Sequence, residues 1–410
     1  MDFTDTPQEA EYRAKVRAFL DANAEKKEPG KLFAKQYGEE GLVPLAREWQ
    51  RKKYEAGFAG ITLPTEYGGQ GLTAMEQVIY NQEEANYLVP RGAYEIGLGM
   101  CIPTMLMYAT EEQKQRYAPV ALKGDEIWCQ LFSEPAGGSD VANAKTRAVR
   151  DGDDWIINGQ KIWTSGAHFS DWGIIVLRTD PSVPKHKGLS FFFLDMHSPG
   201  IEVRRIKQIS GTSNFNEVFF TDVRVPDAQR LGPVGGGWRV ALTTLMNERL
   251  AVGQVAPPDF DEMFAFARDL ELDDGPAIQD PVVREKLADW YVEAQGLKLS
   301  VFRTMTALSR GEDPGPESSI NKIISANKRQ DIANFATDLM EQAGVIMGEG
   351  SPMAGMFQEA VLSSPSGRIA GGTDEILRNI IAERVLGMPG DIRVDKDVPF
   401  NEIPTSGSRK

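Results

Sequence analysis

The run Leu131-Phe132-Ser133-Glu134-Pro135-Ala136-Gly137-Gly138-Ser139-Asp140, joined further on by Lys161-Ile162-Trp163-Thr164-Ser165-Gly166, decides the reading of this chain. The first run reads as a strand that opens into a tight glycine-rich loop. Glycines let backbone N–H groups approach a ligand closely, and Ser139 adds a hydroxyl. The second run ends a β-hairpin and sets Trp163 beside the hydroxyls of Thr164 and Ser165. An aromatic ring next to hydrogen-bonding groups suits a flat heteroaromatic ligand. Each run taken alone also reads blandly, the first as an ordinary turn and the second as core packing.

Outward from these runs, the period of the apolar residues changes twice. Residues 1–122 read as helical. Pro7 to Asp21 carries Tyr12, Val16, Phe19 and Leu20 at helical spacing behind Thr6-Pro7, and Pro44–Ala56, Met75–Leu88 and Glu111–Leu122 repeat the pattern. Residues 123–234 read as β, with short β-branched or aromatic runs at Trp155–Ile157, Trp172–Leu177 and Leu189–Leu194. Asn158-Gly159 is a hairpin signal. Residues 235–390 return to long helices near 237–270, 281–310, 317–347 and 373–386, and 391–410 read as a polar, mobile tail. The expected fold class is therefore α+β: an N-terminal helical domain, a middle antiparallel β-domain and a C-terminal long four-helix bundle.

The 410 residues are enough for two or three domains with large cores. A net charge of −14 argues against nucleic acid or an anionic membrane as partner. Cys101 and Cys129 stand in apolar surroundings and read as buried thiols, which fits a reducing, cytoplasmic setting. His168, His186 and His197 lack metal-ligand spacing, so no metal site is expected. The N-terminal residues show no export signal. The longest apolar run, Ile96 to Ala109, is interrupted by Pro103 and is shorter than the roughly 20 residues of a membrane span, so it reads as a buried helix.

The two opening runs resemble the flavin-binding segments of the acyl-CoA dehydrogenase family, usually spelled T/S-E-P-x-A-G-S-D and W-I-T/S-N-G. Ala136-Gly137-Gly138 departs slightly from that spelling. Gly60 to Leu72 resembles the family's P-x-x-Y-G-G-x-G-L turn, Thr110 to Lys114 its T-E-E-Q-K helix start, Phe219 to Pro226 the end of its middle domain, and Gly371 to Arg378 its C-terminal active-site loop and helix. The motifs keep the family's order, and the resemblance covers nearly the whole chain. It implies FAD as cofactor, an acyl-CoA as substrate and electron-transfer flavoprotein as electron acceptor. The reaction removes the α proton of the thioester while hydride leaves the β carbon for the flavin. By the same resemblance Phe132, Ser133, Gly138, Ser139, Trp163, Ser165 and Thr373 would contact the cofactor, and Ser139, Arg249 and Gly371 the substrate. An acyl-CoA oxidase or flavin monooxygenase on the same fold, or a flavin-poor structural subunit, are the competing readings.

Most members place the catalytic glutamate in a loop spelled Y-E-G-T. This chain reads Ala370-Gly371-Gly372-Thr373 there, so Gly371 replaces it. A minority carry the base before an Arg on the first long C-terminal helix, which here is Glu248-Arg249. Ala241, Leu245, Glu248 and Val252 fall on one apolar stripe, where a carboxylate is paired, protonated or functional. On the residues alone Glu248 also reads as a surface or structural ion-pair residue. With the usual base absent, the resemblance makes Glu248 the expected base and leaves Gly371 to hold the thioester oxygen through its N–H. Asp374 and Glu375 read as helix N-terminal charges. The half-site that family homotetramers lend to a neighbour's ADP moiety looks degraded around Arg268 and at Glu341, next to Gln342. A homotetramer or an α2β2 heterotetramer is expected, and the base-bearing chain of steroid-CoA side-chain dehydrogenases is the subgroup this sequence resembles.

Overall fold

The computed structural model describes residues 5–28, 33–251, 257–309, 315, 318–348, 350–393 and 395–404. In chain order it is helical, then β, then helical. Helices α1 (Pro7–Asn23), α2 (Phe33–Glu55), α3 (Ala74–Glu84), α4 (Ile102–Tyr108) and α5 (Glu111–Lys123) come first, with two-residue strands β1 (Glu25–Lys26) and β2 (Tyr87–Leu88) between them. Strands β3 (Trp128–Leu131), β4 (Arg147–Asp151), β5 (Asp154–Ser165), β6 (Trp172–Arg178), β7 (Leu189–Asp195), β8 (Ile201–Ile206) and β9 (Phe215–Pro226) follow. The chain continues through α6 (Gly237–Ala251), α7 (Phe260–Asp269), α8 (Pro281–Ser309), α9 (Ser318–Leu339), α10 (Met356–Gly367) and α11 (Asp374–Ile380).

Local chemistry sets the helix starts. Thr6 and Glu9 form a reciprocal capping box on α1, as do Thr110 and Gln113 on α5, and each supplies acceptors for otherwise orphaned N–H groups. α5 stops at Gly124, whose φ of 90° is the left-handed conformation that glycine adopts without strain. α2 begins well before Pro44, which lies inside it. The run 96–109 is a π-type turn over Gly97–Cys101 leading into α4, with Pro103 at the helix start, where its missing N–H costs nothing.

By packing, the chain forms two compact units. The first comprises residues 1–37, 72–89 and 253–390 and the second 38–71, 90–252 and 391–410. In the first unit, Arg13 and Arg17 of α1 converge on Glu83 of α3. Its apolar core joins α7, α8, α9 and α10 through Met263, Phe266, Trp290, Ile332, Ala336 and Phe357. Three features of the C-terminal helices differ from expectation. The segment expected near 237–270 is two helices, α6 and α7, with non-helical residues 257–259 ahead of α7. The α9 helix ends at Leu339 because Glu341 takes a left-handed φ of 48° and tightens the chain into a 3-10 turn. The α10 helix, whose Met356, Phe357 and Ala360 are buried at helical spacing ahead of Pro365, is not among the expected segments.

In the second unit, seven strands build the sheet β3-β6-β4-β5-β9-β8, with β7 on β6. The expected antiparallel pairing holds through β4-β5-β9-β8 and β6-β7, but β3 runs parallel to β6. The long connection between them, which contains β4 and β5, permits that direction. Alternate residues feed two cores. Ile174, Val176, Phe191 and Phe193 enter one; Ile175, Leu177, Phe192 and Leu194 enter the other. Burial on both faces explains why these strands read as unbroken apolar runs.

Asn158-Gly159 is not a hairpin turn. The β4–β5 turn falls at Gly152-Asp153, and Asn158-Gly159 lies within β5 at an irregularity in its pairing with β9. Asn158 exchanges hydrogen bonds with Asp222, while a side chain on Gly159 would collide with Thr146 at 2.7 Å. The glycine serves close strand approach there.

The tail is also corrected. Phe400 N–H donates to Val183 and Asn401 N–H to Pro181, so the segment pairs with the β6–β7 loop instead of hanging free. Cys101 and Cys129 are free and fully buried, and burial pushes both thiols up, Cys129 to about 12. Among the described residues no helix is long and apolar enough to cross a membrane, and no cluster of three or more His, Cys, Asp or Glu could hold a metal ion.

Candidate active site

β3 delivers the chain from the core into the glycine-rich loop. Phe132 stays buried, edge-on to Phe191. The Ser133 carbonyl accepts from Ile162 N–H at 2.9 Å, and Glu134 and Gly137 exchange two backbone hydrogen bonds of 3.0 Å across a tight turn. The two runs that opened the sequence reading therefore meet directly.

Glu134 and Lys161 weld them together. Lys161 is 0% exposed, and its ammonium donates to Glu134 Oε1 at 2.8 Å and to the Phe132 carbonyl at 3.1 Å. The Glu134 carboxylate also accepts from Lys145 N–H (2.6 Å) and Thr146 N–H (3.0 Å). Burial works against its charge, but Lys161 and these donors hold it below the usual carboxylate range. Both residues stand in the two opening runs, but their pairing is not legible from the sequence alone. The signal that each needs a partner is present: charged residues inside two otherwise apolar or small-residue runs, which are buried only when paired.

Trp163 follows the weld. It sits at a bulge, where the β5–β9 register shifts between Lys161 and Thr164, and takes a left-handed φ of 60°. A bulky residue held there costs on the order of 1–3 kcal/mol, and such strain clusters at functional sites. The indole is 54% exposed and meets Phe215 in an edge-to-face contact. Thr164 turns inward, and its hydroxyl has no hydrogen-bond partner among the described residues. Ser133 and Ser165 are half-buried; Gly138 and Ser139 are exposed. A Cβ on Gly138 would meet nothing within 4 Å, so the protein itself does not require a glycine there. The loop and Trp163 thus present an aromatic face, three serine hydroxyls and open space.

Helix α6 is anchored in the same unit. Val240 and Ala241 enter the core containing Phe191 and Phe193, Thr244 Oγ1 lies 3.0 Å from Thr104 Oγ1, and Thr243 Oγ1 lies 3.0 Å from the Tyr108 hydroxyl. Positions 248 and 249 fall in its last turn. The side chains of Glu248 and Arg249, and all of Val252, lie outside the described residues.

The Gly371 loop belongs to the other compact unit. Gly371 and Gly372 take φ of 65° and 92°, both left-handed. Thr373 caps α11, its hydroxyl accepting from Ile376 N–H. Asp374 is more than a helix-terminal charge. It is buried, receiving Arg368 Nε at 2.8 Å and Asn327 Nδ2 at 3.2 Å, with Lys322 Nζ 3.8 Å away. Against the cost of burial, Arg368, Asn327 and Lys322 keep its carboxyl below the ordinary range. Lys322 also donates to the Gly372 carbonyl at 2.6 Å. Sequence reasoning had no means to find Lys322 and Asn327, which come from α9, and Arg368, only six residues before Asp374, carries no signal that selects it. Glu375 is exposed. In the same unit Arg268 makes a two-pronged pair with its own neighbour Asp269, and Phe266 is buried against Phe357.

Comparison with known proteins matches these elements in order. Residues 6–125, 129–223 and 235–386 match the N-terminal, middle and C-terminal domains of acyl-CoA dehydrogenases. The chain is 35% identical to acyl-CoA dehydrogenase IpdE1 of Mycobacterium tuberculosis over 392 residues, covering 93% of this chain and 98% of that protein. It is 40% identical to acyl-CoA dehydrogenase FadE34 of the same organism over 328 residues, 80% of this chain, and there spans only 44% of the relative's length. The structure of the Tcur3481-Tcur3483 steroid ACAD superposes with a TM-score of 0.79 at 31% identity, covering 95% of this chain and all of that one. Sequence, domain order and fold agree: the chain belongs to the acyl-CoA dehydrogenase family and is an oxidoreductase of that class.

Proposed function

We propose that this chain is a FAD-dependent acyl-CoA dehydrogenase that uses Glu248 as its base and accepts a bulky acyl group. The observation that carries the cofactor assignment is the welded pair of runs, one bearing the exposed, strained Trp163 with Ser165, the other Ser133 and the exposed Ser139. That donor set fits a flavin: Trp163 would cover the ring, the hydroxyls and loop N–H groups would meet its polar edge, and the space over Gly138 would admit it. Thr373 is the further expected contact. When bound, FAD supplies the acceptor for the hydride leaving the β carbon.

The chain's own residues do the rest. Glu248 takes the α proton, a task that suits a carboxylate on an otherwise apolar stripe. The Gly371 N–H donates to the thioester oxygen as negative charge builds there. Ser139 and Arg249 orient the substrate. Gly371 contributes no side chain, so the acyl group can carry bulk near the thioester. The similarity to a steroid ACAD supports a branched or ring-bearing acyl-CoA over a short straight one.

A second, related chain is the favoured assembly partner. Arg268 stands exposed beside the acidic Asp269 and Phe266 is buried in the core, so the aromatic that would accompany an arginine on a neighbour's ADP moiety is not offered here. Val345 at the end of the Glu341 turn and the following Ile346 and Met347 are exposed, and apolar surface of this kind supports an interface there. An α2β2 heterotetramer completes such a site better than a homotetramer, and electron-transfer flavoprotein is the expected acceptor of the electrons.

Anaerobic bleaching of the flavin by a panel of acyl-CoAs tests the reading. Bleaching by branched or ring-bearing thioesters, with little peroxide formed in air, supports it. Abundant peroxide would make the protein an oxidase, and a preference peaked at butyryl-CoA would remove the bulky substrate. One tightly held FAD per chain in a homotetramer of this chain alone would end the heteromer.

A further inference from the structure

The C-terminal segment reaches the glycine-rich loop through two cations. Lys185, in the β6–β7 loop, places its ammonium 2.7 Å from Asp140 Oδ2 and 2.8 Å from Asp395 Oδ2. It is therefore shared between the last residue of the glycine-rich run and the tail. Arg178, at the end of β6, is buried and donates to the carbonyls of Ala142, Ala144 and Lys185. The Phe400 ring closes over its guanidinium, 3.8 Å from ring centre to central carbon. Backbone pairing at Val183, Pro181 and the Pro184–Pro399 bridge fixes the segment in register. Both cations thus hold residues 140–144 on one side and the tail on the other.

We propose that residues 395–404 form an intramolecular clamp that sets the 139–144 segment, with Lys185 as the positioning residue. The clamp rests on the reading above that Ser139 contacts bound ligand. A surface ion pair contributes little when both partners are free to move. Here the ammonium is mostly buried and its two carboxylates belong to segments pinned independently, by Arg178 and by the Phe400 strand pairing. The interaction is therefore directed at loop geometry. It does not reach the two apolar cores, which close without the tail.

The test uses the full-length flavin-loaded protein with Lys185→Met, Asp395→Asn, Phe400→Ala and Lys185→Arg, together with a chain ending at Gly390. Backbone hydrogen exchange is followed over 136–146, and steady-state constants are measured with an acyl-CoA that bleaches the flavin. The clamp predicts exchange about three- to tenfold faster at 137–144 in Lys185→Met, Asp395→Asn and the shortened chain, with β6 and β7 unchanged. KM rises by a similar factor while kcat is nearly kept, and Lys185→Arg stays close to the parent. Unchanged exchange at 137–144 in the shortened chain would overturn the clamp. So would loosening spread evenly over the sheet, which marks general destabilisation. A loosened loop with KM unchanged would overturn the positioning role alone and leave the dehydrogenase reading, tested by bleaching, where it stands.

Discussion

Glu134 and Asp374 are both buried carboxylates that hold a glycine-bearing loop against cations, and they differ in what surrounds those cations. Lys161 is wholly enclosed, so Glu134 faces a partner with no access to water. Arg368 and Lys322 are 39% and 20% exposed, so solvent shares the Asp374 network. A desolvated pair must be complete, because either member alone is a stranded charge. A half-solvated network loses a member and lets water in. The loop expected to meet the cofactor is thus fixed by an all-or-none contact, and the loop expected to meet the thioester by a graded one.

The largest effect should follow from breaking the enclosed pair. Lys161→Met leaves Glu134 buried and unpaired and should lower unfolding free energy by about 3–5 kcal/mol in denaturant titration. Adding Glu134→Gln should recover part of the loss. If the single variant costs no more than a surface substitution, the contrast with Asp374 is wrong. Asp374→Asn should cost less, about 1–3 kcal/mol, because Asn327 and water can re-satisfy the site. Its cost should shrink as salt rises, and the cost of Lys161→Met should not.

Trp163→Ala separates site from scaffold. It removes an exposed ring but keeps a Cβ in the same left-handed conformation, so stability should hardly change. The flavin dissociation constant should rise about tenfold, the value of one aromatic contact of roughly 1.4 kcal/mol. Unfolding on the Trp163 change would mean that the ring is core after all. The smallest effect is expected for Gly371→Ala, where a φ of 65° makes any side chain cost about 1 kcal/mol.

The sequence told most where function is written in short contiguous runs. The strand that ends at Leu131, the Trp163 run and the capped helices were legible because their determinants lie within a few residues. The Glu134–Lys161 weld and the Asp374 hub were not: a charge inside an apolar or small-residue run tells that a partner is needed but not which one, and Lys161, Lys322 and Asn327 come from elements far along the chain from the carboxylates they meet. Asn158-Gly159 misled for the opposite reason. Its local turn preference is strong, but pairing with Asp222 and the close approach to Thr146 override it. The tail misled because polar composition suggests freedom, while Asp395 and Phe400 find partners only once the β6–β7 loop is folded.

Glu248 as the base is the central claim, and stopped-flow reduction of bound flavin by an acyl-CoA tests it most directly. In Glu248→Gln the flavin spectrum and substrate binding should be retained while the reduction rate falls by about 10² or more, the usual contribution of a positioned base. A Glu248→Gln protein that holds its flavin and is reduced at nearly the parent rate would contradict the account.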